Sequence, residues 1–280
     1  MCRIVKKQKI SEGIFRLDIK SPLIASERAP GQFVIISVDD HYGERIPLTI
    51  ADADAEKGTV SIIFQAVGKT TCMLAKMNPG DKLACMLGPL GNPTHIENFG
   101  HTVCVGGGIG IAPLYPIIQA LKKAGNTLTV ILGARTSELL ILKDEIEAIA
   151  DKLIICTDDG SEGRKALVTE PLKEVCESDH PDMCVAIGPP VMMKFCADAT
   201  KPYDVPIIVS LNSIMIDGTG MCGGCRVTVG DETKFVCVDG PEFDGHKVDF
   251  KNLIARLNSF KRQEYHSSLE CRLQSVKDKG

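Results

Sequence analysis

The hydrophobic period of the chain changes once, near Phe99, and that change fixes its organisation. Before it, Phe15, Leu17 and Ile19 alternate with Arg16, Asp18 and Lys20, the two-residue repeat of a half-buried strand. Further β-rich runs span residues 32–38, 45–52, 59–67 and 82–87. Turn-forming clusters separate them at Ala29-Pro30-Gly31, Asp39-Asp40, Glu56-Lys57-Gly58 and Asn78-Pro79-Gly80. Short strands at this spacing predict a small antiparallel β-barrel; a β-sandwich has the same periodicity and stays open at this point. After Phe99, strands are expected at residues 102–105, 128–132, 152–156, 183–187 and 206–209. Helices are expected between them at about 112–123, 143–150, 170–177 and 191–199, with Pro113 early in the first and Gly125 just past its end. Alternating strands and helices imply a Rossmann-like parallel α/β sheet covered on both faces.

The expected division is a barrel over residues 1–98, an α/β domain over 99–210, a small glycine- and cysteine-rich segment over 211–250, and a charged helix and tail over 251–280. Leu253, Ile254, Leu257 and Phe260 fall at helical spacing in that last part. Composition narrows the classes. The formal net charge is −4, which argues against nucleic acid as a partner. No apolar run reaches the roughly 18 residues of a membrane span, and the polar, cationic residues 1–10 lack the apolar middle of a signal peptide. A cytoplasmic location is therefore expected, where the 12 cysteines read as buried thiols plus a metal or redox site rather than a disulfide framework.

The most informative stretch is Asp217-Gly218-Thr219-Gly220-Met221-Cys222-Gly223-Gly224-Cys225, followed by Cys237. Plant-type [2Fe–2S] sites space their first three ligands C-x4-C-x2-C, with a fourth further on. Here the spacing is D-x4-C-x2-C-x11-C, so Asp217, Cys222, Cys225 and Cys237 are the expected ligands. The glycines let backbone N–H groups approach cluster sulfurs without an intervening Cβ. Structural zinc usually takes two Cys/His pairs, and only one C-x2-C pair is present; a zinc-binding interaction module is the alternative of another class. Asp217 has its own alternative, a turn carboxylate with His246 or another thiol completing the set.

Val105-Gly106-Gly107-Gly108-Ile109-Gly110-Ile111-Ala112-Pro113 follows a strand and opens a helix, the setting in which unhindered amides meet a pyrophosphate. A tight turn without ligand has the same signature. Two later strand ends, Thr157-Asp158-Asp159-Gly160-Ser161 and Gly188-Pro189-Pro190-Val191-Met192, lie where open α/β sheets bind ligands. No acid ends the second strand, and Arg135 there is suited to an NADP 2′-phosphate or equally to solvent or an adenine ring. In the barrel, Arg45-Ile46-Pro47-Leu48-Thr49 offers an arginine to a phosphate and strand-edge amides to a planar ring. Gly68-Lys69-Thr70-Thr71 offers a phosphate cradle. Taken singly, a surface turn explains either as well.

In this order and over about 250 residues, these motifs resemble the ferredoxin–NADP reductase superfamily in the branch with a C-terminal [2Fe–2S] site. Two subfamilies share the layout: the electron-transfer subunit of dihydroorotate dehydrogenase, with four cysteine ligands, and the small subunit of NADH-dependent ferredoxin:NADP oxidoreductase, with aspartate in the first ligand position. Asp217 favours the second. The resemblance implies that Arg45, Pro47, Leu48, Thr49, Gly68, Thr70 and Thr71 contact FAD. It also implies that Gly107, Gly108, Ile109, Gly110, Ala112, Asp158, Asp159, Gly160, Gly188, Pro189 and Met192 form the nicotinamide dinucleotide site. NAD(H) is implied at this subunit, against the lean of Arg135 toward NADP(H). The implied partner is a larger flavin and iron–sulfur subunit in a heterodimer, with ferredoxin met through that subunit. Many superfamily members have cysteine before the Gly-Pro of the last loop; here it is Ile187, so no thiol is expected in hydride transfer, and the cofactors carry the chemistry without a side-chain acid or base.

Overall fold

The computed structural model describes residues 2–39 and 44–267; Asp40 of the second predicted turn and residues 268–280 of the predicted tail lie outside them. The N-terminal part comprises β1 (Arg3–Ser11), β2 (Ile14–Lys20), α1 (Pro22–Glu27), β3 (Phe33–Ser37), β4 (Arg45–Asp54), β5 (Thr59–Gln65), α2 (Lys69–Lys76) and β6 (Cys85–Leu90). The antiparallel sheet runs β1-β2-β5-β4-β3-β6. A bridge between Arg3 and Lys82 brings the first strand back to the chain just before β6. The Ile4 N–H donates to the Asp81 carbonyl and the Leu83 N–H to that of Cys2, so the sheet closes as a barrel rather than pairing as a sandwich. Ile4, Leu17, Ile19, Val34, Ile36, Ile50, Ile62 and Phe64 fill its interior.

β3 is buried along its whole length because its two faces serve different cores. Val34 and Ile36 point into the barrel, whereas Phe33 and Ile35 join the core of the C-terminal half. That shared strand fixes the barrel to the rest of the molecule.

The α/β part follows as β7 (His101–Gly107), α3 (Ile111–Lys123), β8 (Thr127–Ala134), α4 (Lys143–Glu147), β9 (Lys152–Thr157), β10 (Arg164–Lys165), α5 (Thr169–Asp179), β11 (Met183–Ile187), α6 (Pro190–Thr200) and β12 (Ile207–Ser210). The remaining elements are β13 (Arg226–Val229), β14 (Glu232–Phe235), α7 (Val236–Asp239), β15 (Glu242–Asp244) and α8 (Phe250–Leu257). The seven-stranded sheet has the order β10-β9-β8-β7-β11-β12-β15, parallel except for β15, which runs antiparallel to β12. Val103, Val105, Val130, Ile131, Ala186 and Val209 are buried between helical layers, as a parallel sheet covered on both faces requires. From β7 the chain moves to β8 on one side and later returns to β11 on the other. The resulting crevice at the carboxyl ends of β7 and β11 is the switch point at which such sheets bind ligands.

The cysteine-rich segment does not stand apart. Through β15 it supplies the edge strand of the preceding sheet, and β13 and β14 form its own two-stranded hairpin.

Candidate functional site

The glycine run lies at the switch point, and close packing explains its composition. A Cβ on Gly110 would sit 2.5 Å from the Ile187 carbonyl oxygen and 2.7 Å from the Gly188 Cα, a separation real side chains do not tolerate. A Cβ on Gly107 would collide with the Met192 sulfur, and one on Gly188 would come within 2.7 Å of the Met192 methyl and 3.3 Å of the Gly107 Cα. The turn carrying Gly107, Gly108, Ile109, Gly110 and Ala112 therefore interlocks with the loop carrying Gly188, Pro189 and Met192. α3 starts at Ile111, directly after this turn, the setting in which a helix N-terminus suits a phosphate.

A third loop sits further along the same sheet edge. The Asp158 N–H donates to the Ala134 carbonyl (3.1 Å) and the Asp159 N–H to that of Arg135 (3.3 Å). The Asp159 carboxylate accepts from the Ser161 hydroxyl (2.7 Å) and amide (2.9 Å), and these bonds hold it below the usual carboxylate range. Gly160 takes a positive φ of 80° to complete the turn. Asp158 and Arg135 are both exposed at this rim.

In the barrel, Arg45 to Thr49 form the first half of β4, opposite Ser37 to Phe33 of β3. β4 pairs with β5 only from Ile50 onward, so this half presents an unladdered edge, where Pro47 is tolerated. Arg45 is exposed, while Pro47, Leu48 and Thr49 are half-buried. Gly68 caps α2, a helix the strand pattern gave no sign of. The Thr71 hydroxyl accepts from the Gly68 amide (3.0 Å) and the Val67 amide (3.2 Å). Buried Thr70 donates to the Glu44 carboxylate at 2.7 Å, joining the two barrel motifs through a residue that sequence reasoning missed. Glu44 has no motif signal; only its place beside Arg45 would have drawn attention to it.

The four expected cluster ligands fall into two pairs. Cys225 and Cys237 are buried, with their sulfurs 3.2 Å apart, and the Cys237 amide donates to the Cys225 sulfur at 3.4 Å. The Cys237 thiol is pushed up by burial and by the bond from Cys225, with the Asp217 charge acting in the same direction. Asp217 and Cys222 form the other pair. The carboxylate accepts from the Thr219 and Cys222 amides, each at 2.9 Å, which hold it low. The exposed Cys222 sulfur accepts from the Gly224 amide at 3.4 Å. Among the described residues no three of these side chains converge as a finished metal-ligand set, the three cysteines included, and the Asp217 carboxylate is turned onto backbone amides.

The donor chemistry nonetheless fits an iron–sulfur centre: three soft sulfur donors, amides directed at sulfur, and Gly218, Gly220 and Gly223 at positive φ of 75°, 84° and 63°. His246 is not brought to the loop; its Nε2 lies 2.9 Å from the Thr200 hydroxyl. Cys104 and Cys196 are core thiols, each pushed up to about 12, chiefly by burial. They are poor nucleophiles at neutral pH.

Comparison with known proteins matches both of these regions to domains. Residues 104–198 match the model of an oxidoreductase NAD-binding domain. Residues 212–249 match the iron–sulfur cluster binding domain of dihydroorotate dehydrogenase B. A Thermotoga maritima protein named as a homolog of the dihydroorotate dehydrogenase B (NAD(+)) electron transfer subunit is 51% identical over 261 residues, covering 93% of this chain and 92% of its own. The chain belongs to the iron–sulfur branch of the ferredoxin–NADP reductase superfamily. It is an electron-transfer subunit of a heteromeric oxidoreductase, with an NAD-binding domain and an iron–sulfur domain. The superfamily assignment sets aside a zinc-binding interaction module.

The Bacillus pumilus dihydroorotate dehydrogenase B (NAD(+)) electron transfer subunit is 32% identical, covering 88% of this chain and 96% of its own. A chain from the structure of NADH-dependent reduced ferredoxin–NADP oxidoreductase superposes with a TM-score of 0.91 at 49% identity, covering 96% of this chain and 97% of that one. Phthalate dioxygenase reductase, at 18% identity and a TM-score of 0.57, shares the fold. Among the described residues no helix is long and apolar enough to cross a membrane.

Proposed function

We propose that the chain is the small subunit of an NADH-dependent ferredoxin:NADP oxidoreductase. In this reading it binds FAD on the barrel, NAD(H) at the α/β crevice and one [2Fe–2S] cluster in the cysteine loop. A larger flavin and iron–sulfur subunit takes up the electrons and meets ferredoxin. The observation that carries the reading is the junction at β3. One neighbour of that strand, β4, bears the Arg45-to-Thr49 edge, while the outer face of β3 packs in one core with Cys225 and Cys237.

Each group has a physical task. Arg45 would pair with a flavin phosphate, a charge-assisted contact, and the start of α2, with Gly68, Thr70 and Thr71, would border the same region through the Thr70–Glu44 bond. The Gly107-to-Ala112 turn cradles the dinucleotide pyrophosphate, with Gly188, Pro189 and Met192 forming the opposite wall of the crevice. Asp158, Asp159 and Gly160 border the adenosine end. There the exposed carboxylates Asp158 and Asp159 disfavour a 2′-phosphate, offsetting Arg135 and supporting NAD(H). Asp217, Cys222, Cys225 and Cys237 would hold the cluster once the carboxylate turns from its amides. When bound, the flavin supplies the exchange between a two-electron hydride donor and a one-electron centre. Buried Ile187 contributes an apolar wall, with no thiol in the reaction.

A second reading, the electron-transfer subunit of a dihydroorotate dehydrogenase, has the names of the Thermotoga and Bacillus relatives in its favour. Asp217 in place of a first cysteine weighs against it. Identifying the subunit that co-purifies decides between them: a flavin and iron–sulfur protein is expected, and a dihydroorotate-oxidising partner would overturn the first reading. For the nucleotide, stopped-flow flavin bleaching should be faster with NADH than with NADPH, and Arg135→Ala should change the NADH rate little. Faster bleaching by NADPH that is lost in Arg135→Ala would reverse the assignment.

A further inference from the structure

The C-terminal helix α8 is tied to the cysteine loop by an arginine. Its N-cap, Asp249, accepts from the Asn252 amide at 2.9 Å, and Phe250 and Leu253 are buried in the same apolar core as Cys225 and Cys237. Arg256 follows Leu253 by three residues, on the same helical face, so its half-buried side chain starts from the packed side of the helix. The guanidinium donates to the Gly224 carbonyl at 3.1 Å. A second arginine, exposed Arg226 at the start of β13, donates to the Gly223 carbonyl at 3.2 Å. Among the described residues neither guanidinium is paired with a carboxylate.

Both carbonyls lie between Cys222 and Cys225. In a planar trans peptide the C=O and the following N–H point in opposite directions. Arg226 therefore holds the back of the peptide whose front, the Gly224 amide, donates to the Cys222 sulfur at 3.4 Å. Arg256 holds the next peptide in the same way. A neutral donor would satisfy a loop carbonyl equally well. Here two permanent positive charges gather on the short link between two candidate cluster ligands. The proposed ligand set, thiolates with a carboxylate, is anionic, and one-electron reduction adds negative charge. Hydrogen bonds to sulfur and local charge are both levers on the potential of such a centre.

We propose that Arg226 and Arg256 are positioning residues for the iron–sulfur site, clamping the Gly223 and Gly224 carbonyls. The clamp keeps the Gly224 amide on the Cys222 sulfur, and its charge favours the reduced cluster. Arg256 is the stronger member, because a half-buried charge is screened less by water and salt than an exposed one. This inference rests on the cysteine loop holding a [2Fe–2S] cluster.

The test uses the full chain reconstituted with iron–sulfur, comparing wild type with Arg256→Gln, Arg256→Lys and Arg226→Gln. The readout is the cluster midpoint potential, from an anaerobic redox titration followed by EPR. In Arg256→Gln the equilibrium should move against the reduced cluster by roughly 3- to 10-fold, at most about 59 mV lower for a one-electron couple. Arg226→Gln should move it the same way by less. Arg256→Lys keeps the charge and should recover most of the difference. A wild-type midpoint in a folded, cluster-loaded Arg256→Gln chain would overturn the proposal. Equal shifts in Arg256→Gln and Arg256→Lys would do so too, since loss of a purely structural brace gives that result. Should Arg256→Gln hold no cluster, the other two variants carry the test. A lowered midpoint in Arg226→Gln beside a wild-type one in Arg256→Lys supports the clamp, and an unchanged midpoint in Arg226→Gln overturns it. Failure of the wild-type chain to assemble a [2Fe–2S] cluster would instead overturn the underlying reading, so the two failures are distinguishable.

Discussion

The two glycine-rich loops proposed to serve cofactor sites are stabilised in different ways. In the turn before α3, neighbouring atoms come too close for a Cβ: Gly110 lies against the backbone of Ile187 and Gly188, and Gly107 against the Met192 side chain. That turn is built by packing against the loop at Gly188. In the cysteine loop, Gly218, Gly220 and Gly223 all take positive φ, and only Gly218 of the three is packed too tightly for a Cβ, against Ile35 and Leu90. The loop is held at one end by the buried Cys225–Cys237 pair and at the other by the Thr219 and Cys222 amides donating to Asp217 and by Gly218 against Ile35. A packed turn is expected to resist loss of ligand, whereas a loop completed by its metal is expected to depend on it.

The sharpest way to break this contrast is Cys225→Ser. The account expects complete loss or gross alteration of the cluster EPR signal, with the NAD-binding crevice still able to take up nucleotide. An intact signal would remove Cys225 from the site. Gly110→Ala attacks the other loop. Its methyl group has no room beside the Ile187 carbonyl, so a loss on the order of 3 kcal/mol in chemical unfolding is expected, together with weakened nucleotide binding. Stability and binding like those of wild type would show that the turn yields more readily than its packing implies.

The smallest effect concerns the strand that joins the two regions. Glu242 on β15 accepts from the Thr94 hydroxyl at 2.6 Å, and burial pushes its carboxyl up to about 7 from 4.5. The folded chain therefore holds a proton there that the unfolded chain releases. This contribution to stability is fully present below about pH 4.5 and is lost as pH rises through about 7. Glu242→Gln keeps the acceptor and removes the titration. It should be more stable than wild type at pH 8 by on the order of 1–2 kcal/mol after allowance for partial exposure, and the difference should vanish below about pH 4.5. Parallel pH profiles in urea unfolding would contradict this.

The same contrast explains what was legible in the sequence. The βα alternation after Phe99 was readable because strands buried on both faces are uninterrupted apolar runs, and each predicted strand there has its counterpart in β7, β8, β9, β11 or β12. β1 was not readable. Val5 is largely exposed, and Lys6, Lys7, Gln8 and Lys9 leave Ile4 as the only fully buried side chain in the strand, so it lacks an apolar alternation. α2 was hidden because Gly68, Lys69, Thr70 and Thr71 read as a turn, and it is the Thr71 cap that turns them into a helix start. β15 is three residues long and owes its form to pairing with β12, a tertiary contact with no local signal. The cysteine spacing marked the candidate ligands, but the orientation of Asp217 toward the Thr219 and Cys222 amides could only be seen in three dimensions.

In the proposed function, one chain passes electrons from a nicotinamide nucleotide through a barrel-bound flavin to a [2Fe–2S] cluster ligated by Asp217, Cys222, Cys225 and Cys237. Rapid freeze-quench EPR of the anaerobic, reconstituted chain mixed with NADH tests it most directly. The account predicts that flavin bleaching is followed by the signal of a one-electron-reduced [2Fe–2S] centre, and that Cys225→Ser bleaches without it. Bleaching in the wild-type chain with no such signal, in a preparation whose cluster is reduced normally by dithionite, would contradict it.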